Sequence, residues 1–217
     1  MQMSSKMKST QRLIHNLNNT REALTKKIDS ITTDRKVILS QLTAFIQNKI
    51  NSKQKVYLNF ICTHNSRRSH LAQLWAQAAA FYYGIPGVEC FSGGTEATAF
   101  NPRAVKAMQE AGFHIIKKKE GDNPVYEVSY SDDAAPVVAF SKKYDDRFNH
   151  NKNFAAIMTC SHADENCPLV LGADARIVIT YDDPKEFDNT NLESAKYKER
   201  VEQIGTEILY AFSLLKV

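Results

Sequence analysis

The sequence predicts an α/β fold, a parallel β-sheet flanked by helices, preceded by an α-helical extension. Residues 9–50 contain no Gly and no Pro, and their apolar residues recur at helical spacing. From Lys55 onward, short apolar runs alternate with helical stretches, which is the β-α-β-α order of a parallel sheet. The 217 residues, 43% hydrophobic and 24% charged, suit one domain with a full core plus a modest extension.

The charges are distributed unevenly along the chain. Residues 1–54 carry ten Lys or Arg against three Asp or Glu, whereas residues 55–217 carry 18 against 21. A basic segment without interleaved aromatic residues is more often a solvated face than a nucleic-acid site, so we expect no nucleic-acid partner. The sequence has no apolar run near the roughly 20 residues that cross a bilayer and no secretory signal pattern. We therefore expect a cytoplasmic protein without a membrane partner.

The extension, residues 1–54, is expected to form two or three amphipathic helices. Breaks are predicted at residues 18–20 (Asn-Asn-Thr) and 32–34 (Thr-Thr-Asp), because Thr and Asp can cap the helix that follows. We expect this helical layer to pack on the main domain or on a second subunit. In the second case these helices would form a homodimer.

The remaining residues, 55–217, form the predicted catalytic domain. Its strands are predicted at 56–61, 88–91, 125–130, 136–140, 155–159 and 177–181. Its helices are predicted at 69–83, 102–111 and about 191–215, and Gly112 closes the second of them. The strands at 125–130 and 136–140 are expected to form a hairpin-like insertion near the site.

The main functional signal lies between the first strand and the first helix, where residues 62–69 read Cys-Thr-His-Asn-Ser-Arg-Arg-Ser. Ligands of open parallel sheets bind beyond the carboxyl ends of the strands, where amides that open the next helix attract anions. These amides and two guanidinium groups favour the thiolate form of Cys62, which makes it a nucleophile. The step of six residues to Arg68 lets the chain wrap around a tetrahedral oxyanion.

Each residue of this loop receives a predicted role. Arg68 donates to two oxyanion atoms, Ser69 stabilises the thiolate as a leaving group, and Asn65 holds the loop in a strained conformation. The expected substrate-binding residues are Thr63, His64, Asn65, Ser66, Arg67 and Arg68. The simpler interpretation is a buried cysteine at a strand end followed by surface arginines.

The stretch of residues 59–75 resembles the catalytic loop and first helix of the low-molecular-weight protein tyrosine phosphatases and the thioredoxin-coupled arsenate reductases, which share one fold. Residues 91–97 and 101–112 are similar to the second strand and second helix of that family. The resemblance covers roughly residues 55–215. It implies a flavodoxin-like, four-stranded parallel sheet with helices on both faces. It also implies Cys62 as nucleophile, Arg68 as oxyanion binder and Ser69 as thiolate partner, with no tightly bound cofactor.

A candidate general acid follows the strand predicted at 177–181, in the sequence Asp182-Asp183-Pro184. Proline holds the preceding residue in an extended conformation, and a loop at this edge of the sheet can reach over the oxyanion site. The segment resembles the general-acid loop of the family, which implies Asp183 as the residue that protonates the leaving oxygen. Asp182 is the alternative, and a plain surface turn is the simpler interpretation.

A second pair of thiols, Cys160 and Cys167, follows the strand predicted at 155–159. A zinc site with His162 would have at most three of the four usual ligands, so no metal is expected. The pair is either structural or a redox relay. The arrangement resembles that of the thioredoxin-coupled arsenate reductases, which implies that Cys160 attacks Cys62, that Cys167 attacks Cys160, and that thioredoxin reduces the resulting disulfide. Cys90 is predicted to be a core residue.

Three functions remain open from the sequence. Arsenate reduction uses Cys62, Cys160 and Cys167 together, and we favour it. Hydrolysis of phosphotyrosine or a small phosphoester needs only the loop and Asp183, and it would be favoured by an aromatic wall built from Phe187 or Phe100. The third is a non-enzymatic oxyanion-binding or interaction module in which the basic extension is the working part.

Overall fold

The structure is a computed structural model that describes residues 11–166 and 169–217. Residues 1–10 of the predicted extension and the predicted relay thiol Cys167 lie outside the described residues. The helices are α1 (His15–Thr25), α2 (Thr33–Asn51), α3 (Arg68–Tyr82), α4 (Pro102–Glu110), α5 (Ser161–Asn166) and α6 (Glu193–Ser213). The strands are β1 (Val56–Cys62), β2 (Val88–Gly94), β3 (His114–Lys119), β4 (Val125–Ser129), β5 (Val137–Ala139), β6 (Phe154–Met158) and β7 (Ala173–Val178).

The main sheet has four parallel strands in the order β2-β1-β6-β7. Val56, Leu58 and Phe60 alternate along β1 and enter the main core, which α2, α3 and α6 cover. Ile61 faces the other side, in a smaller apolar cluster with Ala163 of α5. The predicted parallel four-stranded α/β fold with helices on both faces is therefore confirmed.

A second, antiparallel sheet with the order β3-β4-β5 follows α4. The pairing of β4 with β5 confirms the expected hairpin. The sequence analysis missed β3, because five of its six residues are exposed and only Ile115 is buried. Its run of three lysines, residues 117–119, therefore had no apolar alternation that could indicate a strand.

The last strand of the parallel sheet is shifted from its predicted position at 177–181. It spans Ala173–Val178, and its first residues are a mixed polar stretch without an apolar run. Residues 179–181 lie beyond the strand, although the amides of Ile179 and Tyr181 still donate to Met158 and Thr159. Both side chains are buried, which explains why this segment has the pattern of a strand.

Of the two breaks predicted in the extension, one is wrong. Helix α1 runs through residues 18–20, because the side chain of Asn18 donates to Glu22 and accepts from Arg21 on the same polar helix face. The second break is confirmed, since Thr32 caps α2 by accepting a hydrogen bond from the amide of Arg35 at 3.3 Å.

The extension packs on the main domain. Leu17, Leu24 and Leu39 are fully or almost fully buried in the same core as β1 and α3. Gly205 of α6 permits this close packing, because a Cβ atom there would lie 2.7 Å from both Leu24 Cδ1 and Trp75 Cε2. The homodimer through these helices stays a prediction. Within the described ranges, no helix has the length and apolar character needed to cross a bilayer.

Candidate active site

The loop of residues 62–69, called the oxyanion loop below, lies at the carboxyl edge of the parallel sheet, where β1 ends at Cys62 and α3 begins at Arg68. Its backbone carbonyls are turned outward. Four of them accept hydrogen bonds from outside the loop: Cys62 from Thr95, Thr63 from Glu96, His64 from Ser141, and Ser66 from Asn101. The amides of residues 63–67 donate to no described residue. A curved loop with unpaired amides is a binding site for an anion.

The nucleophile candidate Cys62 lies at the base of this loop and is almost fully buried. Its Sγ atom is 3.2 Å from Ser69 Oγ. Asn65 Nδ2 donates to Ser69 Oγ at 2.8 Å, so the hydroxyl proton of Ser69 is available to the sulfur. Asn65 has a φ of 44°, in the left-handed region, and its Oδ1 accepts from the amide of Lys142. These bonds hold the strained residue and orient Ser69 toward the thiol.

Gly94, at the end of β2, is a residue of the site that the sequence analysis missed. A Cβ atom on Gly94 would lie 2.2 Å from Glu96 O and 2.7 Å from both Asn65 N and Thr63 O. The backbone of β2 therefore passes directly against the oxyanion loop, and only glycine fits. The one available signal in the sequence was the pair of consecutive glycines in Phe91-Ser-Gly-Gly, of which Gly94 is the second.

Arg68 contacts the candidate acid loop. Its Nη2 atom donates to Asp183 Oδ2 at 2.7 Å, and its Nη1 atom donates to the carbonyl of Tyr181 at 3.0 Å. Its Nε atom is buried without a hydrogen-bond partner among the described residues. Asp182 differs from its neighbour, because its side chain is 92% exposed and lies 3.4 Å from Arg200. The structure therefore brings Asp183, rather than Asp182, next to the oxyanion loop.

Arg67 and His64 are held by other side chains, although Arg67 Nε also lies 3.8 Å from Asp183 Oδ1. Arg67 is largely buried, and its Nε atom donates to the hydroxyl of Tyr197 on α6 at 2.9 Å. His64 is partly exposed and lies 3.5 Å from Glu96. These two of the six predicted substrate-binding residues therefore have side chains that are held outside the loop. An anion in the loop would contact them through their backbone amides.

The second candidate thiol, Cys160, is buried and lies in the same apolar cluster as Cys62. Its Sγ atom is 3.5 Å from the hydroxyl of Thr63 and 3.4 Å from the amide of Ala163, which donates to it. The Thr63 hydroxyl also lies 3.2 Å from His162 Nδ1. Helix α5 begins immediately after Cys160. One member of the second thiol pair therefore sits directly against the oxyanion loop.

Comparisons with known proteins show the family of the chain. A family model for the low molecular weight phosphotyrosine protein phosphatases matches residues 57–130. An arsenate reductase of Bacillus licheniformis is 32% identical over 158 residues, which make up 72% of this chain and 94% of that protein. This chain belongs to the low-molecular-weight phosphatase and arsenate reductase family. An arsenate reductase of Brevibacillus brevis is 33% identical over 135 residues, 62% of this chain and 80% of that protein.

Among solved structures, the chain is similar to the thioredoxin-dependent arsenate reductase of Corynebacterium glutamicum. It is 18% identical, covers 92% of this chain and 85% of its own, and aligns with a TM-score of 0.41.

Two predictions about individual residues of this family member can be settled from burial. Cys90 is confirmed as a core residue, and burial raises the pKa of its thiol, which makes it unreactive. Phe100 is 1% exposed and stacks on His70 with 4.1 Å between ring centroids. The expectation that Phe100 could wall a substrate slot is therefore wrong, because the ring is inside the core.

Lys142 anchors Asn65 through its amide and is itself buried, with 2% of its surface exposed. Burial lowers the pKa of its ammonium group to about 8, and Asp146 opposes this shift. The unfolded chain therefore binds this proton more tightly, so the free energy of unfolding should rise as the pH increases from about 8 to 10.5. We expect Lys142→Met to remove this rise and to stabilise the protein at pH 7 by about 2–3 kcal/mol.

Urea denaturation of the wild type and Lys142→Met at pH 7, 8, 9 and 10 measures this difference. Stability profiles that stay parallel across this range would contradict the assignment, because the other titrating groups are common to both proteins.

Proposed function

We propose that this chain reduces arsenate to arsenite through a relay of Cys62, Cys160 and Cys167 that thioredoxin recycles. The observation that carries the proposal is the position of Cys160, whose sulfur lies 3.5 Å from Thr63 Oγ1 in the buried cluster that also contains Cys62. Hydrolysis of a phosphate ester needs no second thiol there. The names of the curated relatives, which are arsenate reductases, support the same substrate.

In the first step, the oxyanion loop and Arg68 bind the tetrahedral arsenate. The buried Nε of Arg68 and the unpaired loop amides provide donors for its oxygens. The Cys62 thiolate attacks arsenic, a sulfur–arsenic bond forms, and one oxygen leaves as water or hydroxide. Asp183 must give up its hold on Arg68 when the oxyanion arrives, since both compete for the same guanidinium group.

In the second step, the Cys160 thiolate attacks the sulfur of Cys62. The electron pair of the sulfur–arsenic bond moves to arsenic, which is reduced from As(V) to As(III) and leaves as arsenite, while the two cysteines are oxidised to a disulfide. Cys167 then attacks Cys160 and releases Cys62 as a thiolate. The dithiol of thioredoxin supplies two electrons that reduce the Cys160–Cys167 disulfide.

This relay suits a cytoplasmic enzyme. The cytoplasm keeps thiols reduced through thioredoxin and glutathione, and a relay that starts from three free thiols needs that condition. Cys62 and Cys160 are both buried, so a protein reductant has poor access to a disulfide between them. The transfer to Cys167 solves this problem if Cys167 can carry the disulfide to the surface.

Phosphate ester hydrolysis is a second candidate, and the position of Asp183 favours it. The Asp183 carboxylate lies beside the oxyanion loop through its 2.7 Å contact with Arg68, where a general acid can protonate a leaving oxygen. Arsenate and phosphate have nearly the same shape and charge, so one loop can serve both substrates.

The two functions are separated by measuring turnover on two substrates with the same preparation. We expect NADPH consumption with thioredoxin and thioredoxin reductase to depend on both arsenate and this protein. Hydrolysis of para-nitrophenyl phosphate is the parallel measurement. Ester hydrolysis without arsenate-dependent NADPH consumption would refute the reductase and support the phosphatase.

We expect Asp183→Asn to slow hydrolysis of esters with poor leaving groups by roughly a hundredfold, because such a leaving oxygen needs a proton. Esters whose leaving group is stable as an anion should be affected much less. The ratio of kcat/KM for phenyl phosphate to kcat/KM for dinitrophenyl phosphate measures the effect, because kcat/KM reports the step in which the leaving group departs. Asp182→Asn is the matched control, since its exposed side chain lies away from Arg68. A selective loss in Asp182→Asn instead would show that Asp182, and not Asp183, is the general acid.

A further inference from the structure

The extension reaches the acid loop through one side chain. Arg35 of α2 forms a partly buried ion pair with Glu207 of α6, with Nε at 3.0 Å and Nη2 at 2.8 Å from Glu207 Oε2. The same Nη2 atom donates to the carbonyl of Thr180 at 3.1 Å. The guanidinium group also lies over the ring of Tyr181, 4.9 Å from its centroid. Arg35 therefore holds the segment that leads from β7 to Asp183.

The next carbonyl of this segment, that of Tyr181, is bound by an active-site residue. Arg68 Nη1 donates to the carbonyl of Tyr181, one residue after the carbonyl that Arg35 binds. The two arginines thus hold adjacent carbonyl groups, immediately before Asp182 and Asp183.

Tyr181 lies between these two arginines and cannot move freely. It is buried, and burial raises the pKa of its hydroxyl well above the usual range, so the ring stays neutral. A neutral ring under Arg35 and a main-chain carbonyl on Arg68 fix both the side chain and the backbone at this residue. The position of Tyr181 therefore sets where the backbone of Asp182 and Asp183 begins.

We propose that Arg35 is a positioning residue for the general acid, and that it holds residues 180–181 so that the carboxylate of Asp183 faces the oxyanion loop. The extension then takes part in catalysis rather than only completing the core. The proposal rests on the proposed role of Asp183 as acid. It does not depend on whether the natural substrate is arsenate or a phosphate ester.

A structural contribution of the extension has to be separated from this positioning role. Lys49 offers a matched control, because it lies on the same helix α2 and pairs with Asp174 at 2.7 Å. Asp174 lies at the start of β7, whereas Arg35 contacts the chain beyond the end of that strand. Lys49 joins α2 to the start of β7, whereas Arg35 joins α2 to α6 and to the chain beyond the end of β7, so only Arg35 touches the acid segment.

The experiment measures kcat/KM of Arg35→Met on phenyl phosphate and on dinitrophenyl phosphate, with Lys49→Met beside it, because kcat/KM reports the step in which the leaving group departs. A displaced acid costs most where the leaving oxygen needs a proton. We expect a loss of about tenfold on the poor leaving group and less than about twofold on the good one. In an Asp183→Asn background, Arg35→Met should cause no further selective loss, because residues that act as one unit are not additive.

Arg35→Lys keeps the positive charge beside Glu207 but loses the planar donor that binds two partners at once. We expect this conservative variant to fold and to show a selective loss of about threefold. It tests the proposal even if Arg35→Met does not fold. Lys49→Met should lower the melting temperature without changing the ratio between the two esters.

Equal losses on both esters, the same selectivity in Lys49→Met, or full additivity with Asp183→Asn would each overturn the role of Arg35. Selective loss in Asp183→Asn without any in the Arg35 variants would refute Arg35 and leave the acid assignment intact. No selectivity in Asp183→Asn itself would refute the acid, and the positioning role with it.

Discussion

Replacing Cys62 with serine is expected to abolish arsenate reduction and phosphate ester hydrolysis together. The structure places this sulfur at the base of the oxyanion loop, 3.2 Å from the Ser69 hydroxyl. A serine hydroxyl at this position is far too weakly acidic to form the nucleophilic anion that both reactions need. We expect a loss of roughly a thousandfold or more in kcat for each substrate.

Cys90→Ala is the matched control for this substitution. It removes another buried cysteine, in β2, whose thiol is unreactive. It should lower stability and leave turnover per folded molecule nearly unchanged. Retention of more than a few percent of activity in Cys62→Ser, with correct folding shown by circular dichroism, would remove Cys62 from the mechanism.

The second large effect separates the two later thiols of the proposed relay. Cys160→Ser and Cys167→Ser should each stop multiple-turnover arsenate reduction while leaving ester hydrolysis largely intact, because neither thiol takes part in phosphoryl transfer. They should fail at different steps. Cys167→Ser should release arsenite once and stop with a Cys62–Cys160 disulfide, whereas Cys160→Ser should stall before arsenite leaves.

A single-turnover arsenite assay distinguishes the two variants. The ester hydrolysis rate of each variant is its internal control, since it reports whether the oxyanion loop is intact next to the substituted residue. Equal arsenite bursts in both variants would contradict the order of the relay. Loss of ester hydrolysis in Cys160→Ser would show that this residue supports the loop through Thr63.

The order of elements and the oxyanion loop could be predicted because their signals are local. A buried strand, a nucleophile and an arginine six residues later are all contained in one short stretch, residues 56–68. The Thr32 cap of α2 and the core position of Cys90 follow from equally local patterns. Strand β3 was missed because its residues are nearly all exposed, and its stability comes from pairing with β4.

The contacts that hold the site together could not be predicted, since they join distant parts of the chain. Gly94 is needed because β2 passes against Asn65 and Thr63, and the pair of consecutive glycines, residues 93 and 94, does not show which part of the chain approaches it. Lys142 holds Asn65 across 77 positions of sequence. Arg35 looks like one of several surface charges on an amphipathic helix until folding brings Glu207 and Thr180 to it.

In the proposed relay, a second and a third thiol take over from Cys62 after arsenate binds. The most direct test exposes the reduced wild-type protein once to excess arsenate, without thioredoxin, and maps its thiols and disulfides by mass spectrometry of tryptic peptides. We expect a disulfide between Cys160 and Cys167, with Cys62 and Cys90 reduced and arsenite released in equal amount. Protein that stays fully reduced under these conditions, while it still hydrolyses phosphate esters, would contradict the relay.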